Sequence, residues 1–128
     1  MTCTPDLFTT RLEETIAFYT KVLGFTVETL WPEEGPSLCI LDRGQASVMF
    51  HTDRWDGEEE SQLTGQIRID VDDCLAMHAA VLEHPDADIL WGPDVYEYGR
   101  REFSVRDPNG YRLVLSEVVD GGTSCEGQ

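Results

Sequence analysis

Few side chains in this sequence have the chemistry to act on another molecule, and their spacing narrows the choice. Histidines stand at 51, 78 and 84 and cysteines at 3, 39, 74 and 125, with no Cys-x-x-Cys pair to suggest a thiolate metal site. No Ser-His-Asp arrangement, Gly-rich phosphate loop or cysteine beside a base is encoded. His51 ends an alternating stretch and reads either as a hydrogen-bonded strand residue or as an acid/base group partnered by Glu102. One histidine, even with Asp53 nearby, is not a metal site. His78 falls among apolar residues and reads as packing. Arg68 and Arg112 have the donors to hold an anionic or carbonyl oxygen by charge-assisted hydrogen bonds. The plain alternative for Arg68 is a pair with Asp70, Glu102 or Glu117. Trp31, Trp91, Tyr96 and Tyr98 read as aromatic walls of a pocket, or as core and interface anchors.

These residues sit in a strongly acidic chain. Its 128 residues carry 9 Lys+Arg against 25 Asp+Glu, a formal net charge of −16. Such a surface is repelled by phosphate backbones and anionic membranes, so nucleic-acid and membrane partners are not expected. Lys21 is the only lysine, and the acids cluster briefly at Glu33-Glu34, Glu58-Glu59-Glu60 and residues 70–73. A solvated acidic shell in a high-salt cytoplasm is the expected setting. No signal peptide is read in the first residues, and no apolar run approaches the ~18–20 residues of a membrane span. With 41% hydrophobic residues the chain is expected to fold as one domain over 1–128, with its cysteines free.

The elements that would position these side chains form two similar series. Residues 4–9 read as a strand, Thr10-Arg11-Leu12-Glu13 as a capping box, and Leu12, Ile16, Tyr19 and Leu23 as a helical stripe ended by Gly24. Strands follow at 25–31, 37–41 and 46–51. A polar linker over about 53–64 separates this module (about 4–52) from the next (about 65–118). There a strand at 66–71 leads to a helix capped by Asp72 or Asp73, with Leu75, His78 and Leu82 at helical spacing. Strands at 87–91, 101–106 and 111–118 complete it, with turns at Gly92-Pro93-Asp94 and Asp107-Pro108-Asn109-Gly110. The fold class is therefore α+β, two βαβββ modules, with a disordered tail expected at about 119–128.

Two motifs at opposite ends of this layout resemble a known family. Leu12-Glu13-Glu14-Thr15-Ile16-Ala17-Phe18-Tyr19 with Val22-Leu23-Gly24-Phe25 is similar to the first helix of the vicinal oxygen chelate superfamily, the glyoxalase, bleomycin-resistance and extradiol-dioxygenase group. Arg106-Asp107-Pro108-Asn109-Gly110-Tyr111-Arg112-Leu113 resembles its closing hairpin. The resemblance spans residues 4–118 and implies a curved mixed sheet with an open cavity. In the family's enzymes, four strand positions hold a divalent metal that polarises a substrate with adjacent oxygens. Family spacing puts those positions at Thr4, Met49, Gln66 and Val114, none of them a histidine or carboxylate.

The resemblance thus implies the metal-free, bleomycin-resistance-like branch: no metal, no cofactor, no catalytic residue, and an unknown small molecule as partner, held by a cytoplasmic homodimer. Lining is expected from the same-face positions Phe8, Met49, His51, Gln66, Arg68, Arg112 and Val114, with Glu102 and the four aromatic residues Trp31, Trp91, Tyr96 and Tyr98 beside them. The alternative is a lyase, isomerase or dioxygenase with an atypical metal or acid/base site, and a third reading is a protein-interaction module.

Overall fold

A computed structural model describes residues 3–53, 63 and 65–119. The chain divides into two compact units, Met1–Thr64 with Asp107–Tyr111, and Gly65–Arg106 with Arg112–Gln128. Each contains a four-stranded mixed sheet and a helix, the βαβββ series expected.

In the first unit, β1 (Asp6–Phe8), β2 (Thr26–Trp31), β3 (Leu38–Arg43) and β4 (Ala46–His51) lie in the order β1-β4-β3-β2. β1 runs parallel to β4, with Asp6 opposite Met49 and Phe8 opposite His51. Alternation sends Cys39, Leu41, Val48 and Phe50 to one face, where all four are buried. Tyr19 packs there, 5.2 Å from the Phe50 ring and 5.5 Å from Phe25. The turn Asp107–Tyr111 belongs to this unit. Tyr19 donates its hydroxyl to Asp107 Oδ2 at 2.8 Å, and Tyr111 stacks on Phe50 at 6.4 Å. Asp107 shapes the turn by accepting from the backbone amides of Asn109 and Tyr111.

The helix departs from expectation at its start and its middle. α1 (Leu12–Ala17) is preceded by Arg11 with no side-chain cap; the Thr9 hydroxyl, not a Thr10–Glu13 box, accepts the Arg11 amide. A π-helical turn (Phe18–Val22) follows. Leu12, Thr15, Phe18, Tyr19, Val22 and Leu23 go inward, and Ile16 is left half-buried.

The second unit carries β5 (Ile67–Asp70), α2 (Cys74–Leu82), β6 (Asp88–Tyr96), β7 (Arg100–Arg106) and β8 (Arg112–Val118), in the sheet order β5-β8-β7-β6. Asp73 caps α2, accepting the Ala76 amide at 3.0 Å. The inward face of α2 is Cys74, Met77 and Val81; Leu75 and Leu82, expected inside, are 51% and 57% exposed. Both stripes fit helical spacing, and packing on the sheet selects the one that is buried. β6 runs through Gly92-Pro93-Asp94, the expected turn, as an irregular segment within a nine-residue strand. The linker beyond Asp53 and the tail beyond Val119 lie outside the described residues, apart from Leu63.

Candidate ligand-binding site

One face of the second sheet concentrates the polar chemistry. α2 covers Phe103 and Leu115, so the partners that alternate with them face the other way. Across that face the strand register sets Trp91, Ser104, Val114 and Arg68 in one row, and Asp94, Glu102, Ser116 and Asp70 in the next. Tyr96, Arg100 and Val118 form a third row, and Asp88, Arg106 and Arg112 a fourth. Val114 and Ser104 are fully buried and offer no open surface on this face, the Ser104 hydroxyl being spent on the Leu113 carbonyl at 2.9 Å.

Glu102 is the centre of this face. Its residue is 1% exposed, yet it is charged and fully partnered. Oε1 accepts from the Tyr98 hydroxyl, and Oε2 accepts from Arg68 Nη2 and from the Ser116 hydroxyl, the latter at 2.8 Å. Burial acts to raise the Glu102 pKa, but the Tyr98 and Ser116 hydrogen bonds and the Arg68 charge outweigh it and hold the carboxyl below its ordinary value. Burial likewise opposes the charge on Arg68, and Glu102 more than restores it. Ser116 also accepts from Arg100 Nη1 at 2.9 Å, and the same nitrogen reaches Asp70 at 3.0 Å. The chain Tyr98–Glu102–Ser116–Arg100–Asp70, with Arg68 attached, fixes side chains that would otherwise be free to turn. Arg68 and Tyr98 are held this way while 46% of the Arg68 side chain and 40% of Tyr98 stay exposed. Tyr96 stacks on Tyr98 at 5.9 Å and meets Trp91 edge-on at 6.0 Å, giving an aromatic margin along β6.

The first unit places a different pair at the corresponding register. There His51 is opposite Phe8 on β1 and Leu38 on β3; in the second unit Ser116 is opposite Asp70 and Glu102. His51 is buried, its Nδ1 lies 2.7 Å from Asp6 Oδ1, and its ring lies 5.9 Å from Phe8. His51 is thus hydrogen-bonded within its strand pair, as one of its two readings expects.

Of the expected lining, Arg68, Glu102, Arg112, Val114, Trp91 and Tyr96 share one sheet face, joined by Tyr98 through its hydroxyl bond to Glu102. Gln66 is exposed just before β5. Phe8, Met49 and His51 share the first sheet's face away from Tyr19, and Trp31, 60% exposed, ends the edge strand β2. Sequence reasoning missed Asp6, Ser116 and Arg100, and weighed Asp70 only as a partner of Arg68, where it pairs with Arg100. Alternation carried two residues past Arg68 and Val114 would have found Asp70 and Ser116. Glu117 points to the helix side, capping the Cys74 amide at 3.0 Å, as alternation from Val114 requires. A depression of about 250 Å3 lies beside this network, lined by Asp70, Val71, Asp72, Arg100, Ser116, Glu117 and Val118.

The four family metal positions do not fit a metal. Met49 offers a thioether, Val114 is a buried hydrocarbon, and among the described residues no three His, Cys, Asp or Glu side chains gather into a cation site. The Cys39 thiol is fully buried, and desolvation pushes it up to about 11, which keeps it protonated and unreactive. No helix of the described residues is long and apolar enough to cross a membrane.

A family model described as Glyoxalase/Bleomycin resistance protein/Dioxygenase superfamily matches residues 3–115. Among solved structures the chain is similar to TioX from Micromonospora sp. ML1, at 21% identity and TM-score 0.77, over 93% of this chain and 99% of that one. It is similar to TnmS3, an antibiotic binding protein from Streptomyces sp. CB03234, at 19% identity and TM-score 0.74, over 92% and 95%. A superfamily member from Sphaerobacter thermophilus DSM 20745 aligns at 17% identity and TM-score 0.75, over 91% and 96%. At these identities the likeness is one of fold. No curated protein matches the sequence.

Proposed function

The chain belongs to the Glyoxalase/Bleomycin resistance protein/Dioxygenase superfamily, and from that membership we propose that it is a metal-free, non-catalytic binding protein for a small molecule. The observation that carries this reading is the Glu102 network, a buried carboxylate that spends its acceptors on holding Arg68 and Tyr98 in fixed, half-exposed positions. Preorganised polar groups beside an aromatic margin suit recognition of a small organic ligand. Thr4, Met49, Gln66 and Val114 replace the donors that metal-assisted chemistry would need. The antibiotic binding described for TnmS3 is compatible with this reading. A homodimer is part of the proposal, with exposed Val27, Leu30, Trp31 and Val95 on the edge strands β2 and β6 as contact residues.

A thermal-shift panel of aromatic, peptide-like and glutathione-derived compounds tests the reading, with saturable stabilisation by at least one class expected. Metal analysis of protein purified without a chelating tag tests the rest. Near-stoichiometric zinc, nickel, manganese or iron, lost in His51→Ala, would replace this reading with that of an enzyme.

A further inference from the structure

The charges on the Glu102 face do not follow those of the chain. Four of the eight arginines lie there, Arg68, Arg100, Arg106 and Arg112, with four carboxylates, Asp70, Asp88, Asp94 and Glu102. A molecule of net charge −16 therefore has one electrically balanced face. Within it the pairing is uneven. Arg68 is tied to Glu102, Arg100 to Asp70 at 3.0 Å, and Arg106 to Asp88 at 3.4 Å. Arg112 is exposed, and no carboxylate answers it among the described residues. It also stands directly opposite Arg106 in the β7–β8 ladder, an arrangement of like charges that costs stability unless something negative lies between or beside them.

We propose that the monoanionic oxygen group of a flat aromatic ligand, a carboxylate, sits between Arg112 and Arg68 on this face, resting on the proposed small-molecule-binding function. Arg68 is directly opposite Val114 on the parallel neighbouring strand and Arg112 is two residues before Val114, so a strand spacing of ~4.8 Å and a two-residue rise of ~6.6 Å put their Cα atoms about 8 Å apart. Both side chains are long enough to meet above buried Val114. Arg68 spends Nη2 on Glu102 and keeps further N–H groups for a second acceptor, and two planar forks match the two oxygens of a carboxylate. One unanswered cation calls for a single negative charge. A dianion would meet repulsion from Asp70, Asp94 and Glu102 on the adjoining row. The ring system extends toward exposed Trp91, which ends the row that begins at Arg68, and toward exposed Tyr98. Across three strand spacings of ~4.8 Å, the side chains at both ends shorten the gap to the size of fused rings.

Matched probes test this on the full-length protein: 2-naphthoate, its neutral amide, and 2-naphthylmethylammonium, titrated calorimetrically at fixed ionic strength. Naphthoate is expected to bind about ten- to a hundredfold more tightly than the amide, with the ammonium compound weakest. Arg112→Met should abolish the preference for naphthoate, bringing its affinity down to about that of the amide. Arg112 is exposed and has no ion-pair partner among the described residues, so this variant should fold normally. Arg11→Met, which changes net charge equally at the exposed Glu14 pair of the first unit, should preserve the preference. Equal affinities for the three probes, or a preference that survives Arg112→Met, would overturn the carboxylate assignment and leave the binding function standing. No binding of any probe, with no stabilisation by the wider panel, would overturn both.

Discussion

Two buried carboxyls in this protein respond to acid in opposite senses, and single substitutions separate them. Glu102 is held below its ordinary value of 4.5, so the stability it contributes is full at higher pH and is lost as pH falls through its folded value. Glu102→Gln is therefore expected to cost about 1–3 kcal/mol near neutrality, and to flatten the loss of stability below about pH 5 in urea titrations. Burial pushes Asp107 above its ordinary 3.8, against hydrogen bonds from Tyr19, Asn109 and Tyr111. Its ionised form is thus a cost at neutral pH, relieved as pH falls through the folded value. Asp107→Asn should steepen the acid limb that Glu102→Gln flattens. Tyr19→Phe removes the 2.8 Å hydrogen bond while the two backbone donors remain. It should cost about 1–2 kcal/mol and move the Asp107 titration further upward, as carboxyl NMR shifts would report.

At the scale of elements, the approach of β6 to β7 depends on one glycine. A Cβ on Gly92 would lie 2.4 Å from the Glu102 carbonyl oxygen and 2.9 Å from Phe103 Cα, at a backbone φ of +83°. Neither atom can swing aside. Gly92→Ala is expected to cost about 2–4 kcal/mol by chemical denaturation. Gly110→Ala, at φ +86° with nothing within 4 Å, should cost only the ~1–2 kcal/mol of the left-handed conformation. The difference measures the close approach alone. Alternation made the strands readable, because residues two apart share a face and one assignment places a whole strand. It put Val114 and Arg68 on one face, and Glu117 on the other, before any coordinates. The helices were less legible. In α1 spacing chose apolar Ile16 where polar Thr15 goes inward, and α2 has apolar or alanine positions on every side of His78, so spacing alone chose Leu75 and Leu82 over Met77 and Val81. The strand through Gly92-Pro93-Asp94 hid behind residues whose local preference is for a turn. The Glu102 network was visible only as a set of alternatives, since Arg68 had three carboxylates within sequence reach and the β7–β8 register selected one.

For the whole molecule, the charge of −16 predicts a salt response. We propose a saline cytoplasm as its setting; the melting temperature should rise between low and about 1 M salt as screening relieves self-repulsion. A flat or falling melting temperature would reject that setting. The balanced face makes a separate forecast: salt should weaken naphthoate binding even while it stabilises the fold. One further consequence concerns synthesis. The first unit takes Asp107–Tyr111 from near the end of the sequence, and its buried Tyr19 and Thr9 bond partners 88 and 100 residues away. While the ribosome is still adding the second sheet, the N-terminal half carries the Tyr19 hydroxyl without its Asp107 acceptor, the Thr9 hydroxyl without Asn109, and the Phe50 ring without its Tyr111 cover. Its folding is therefore completed late rather than in order of emergence, and a chain stalled before residue 107 should expose Tyr19 and Phe50 to protease or chaperone however long it waits.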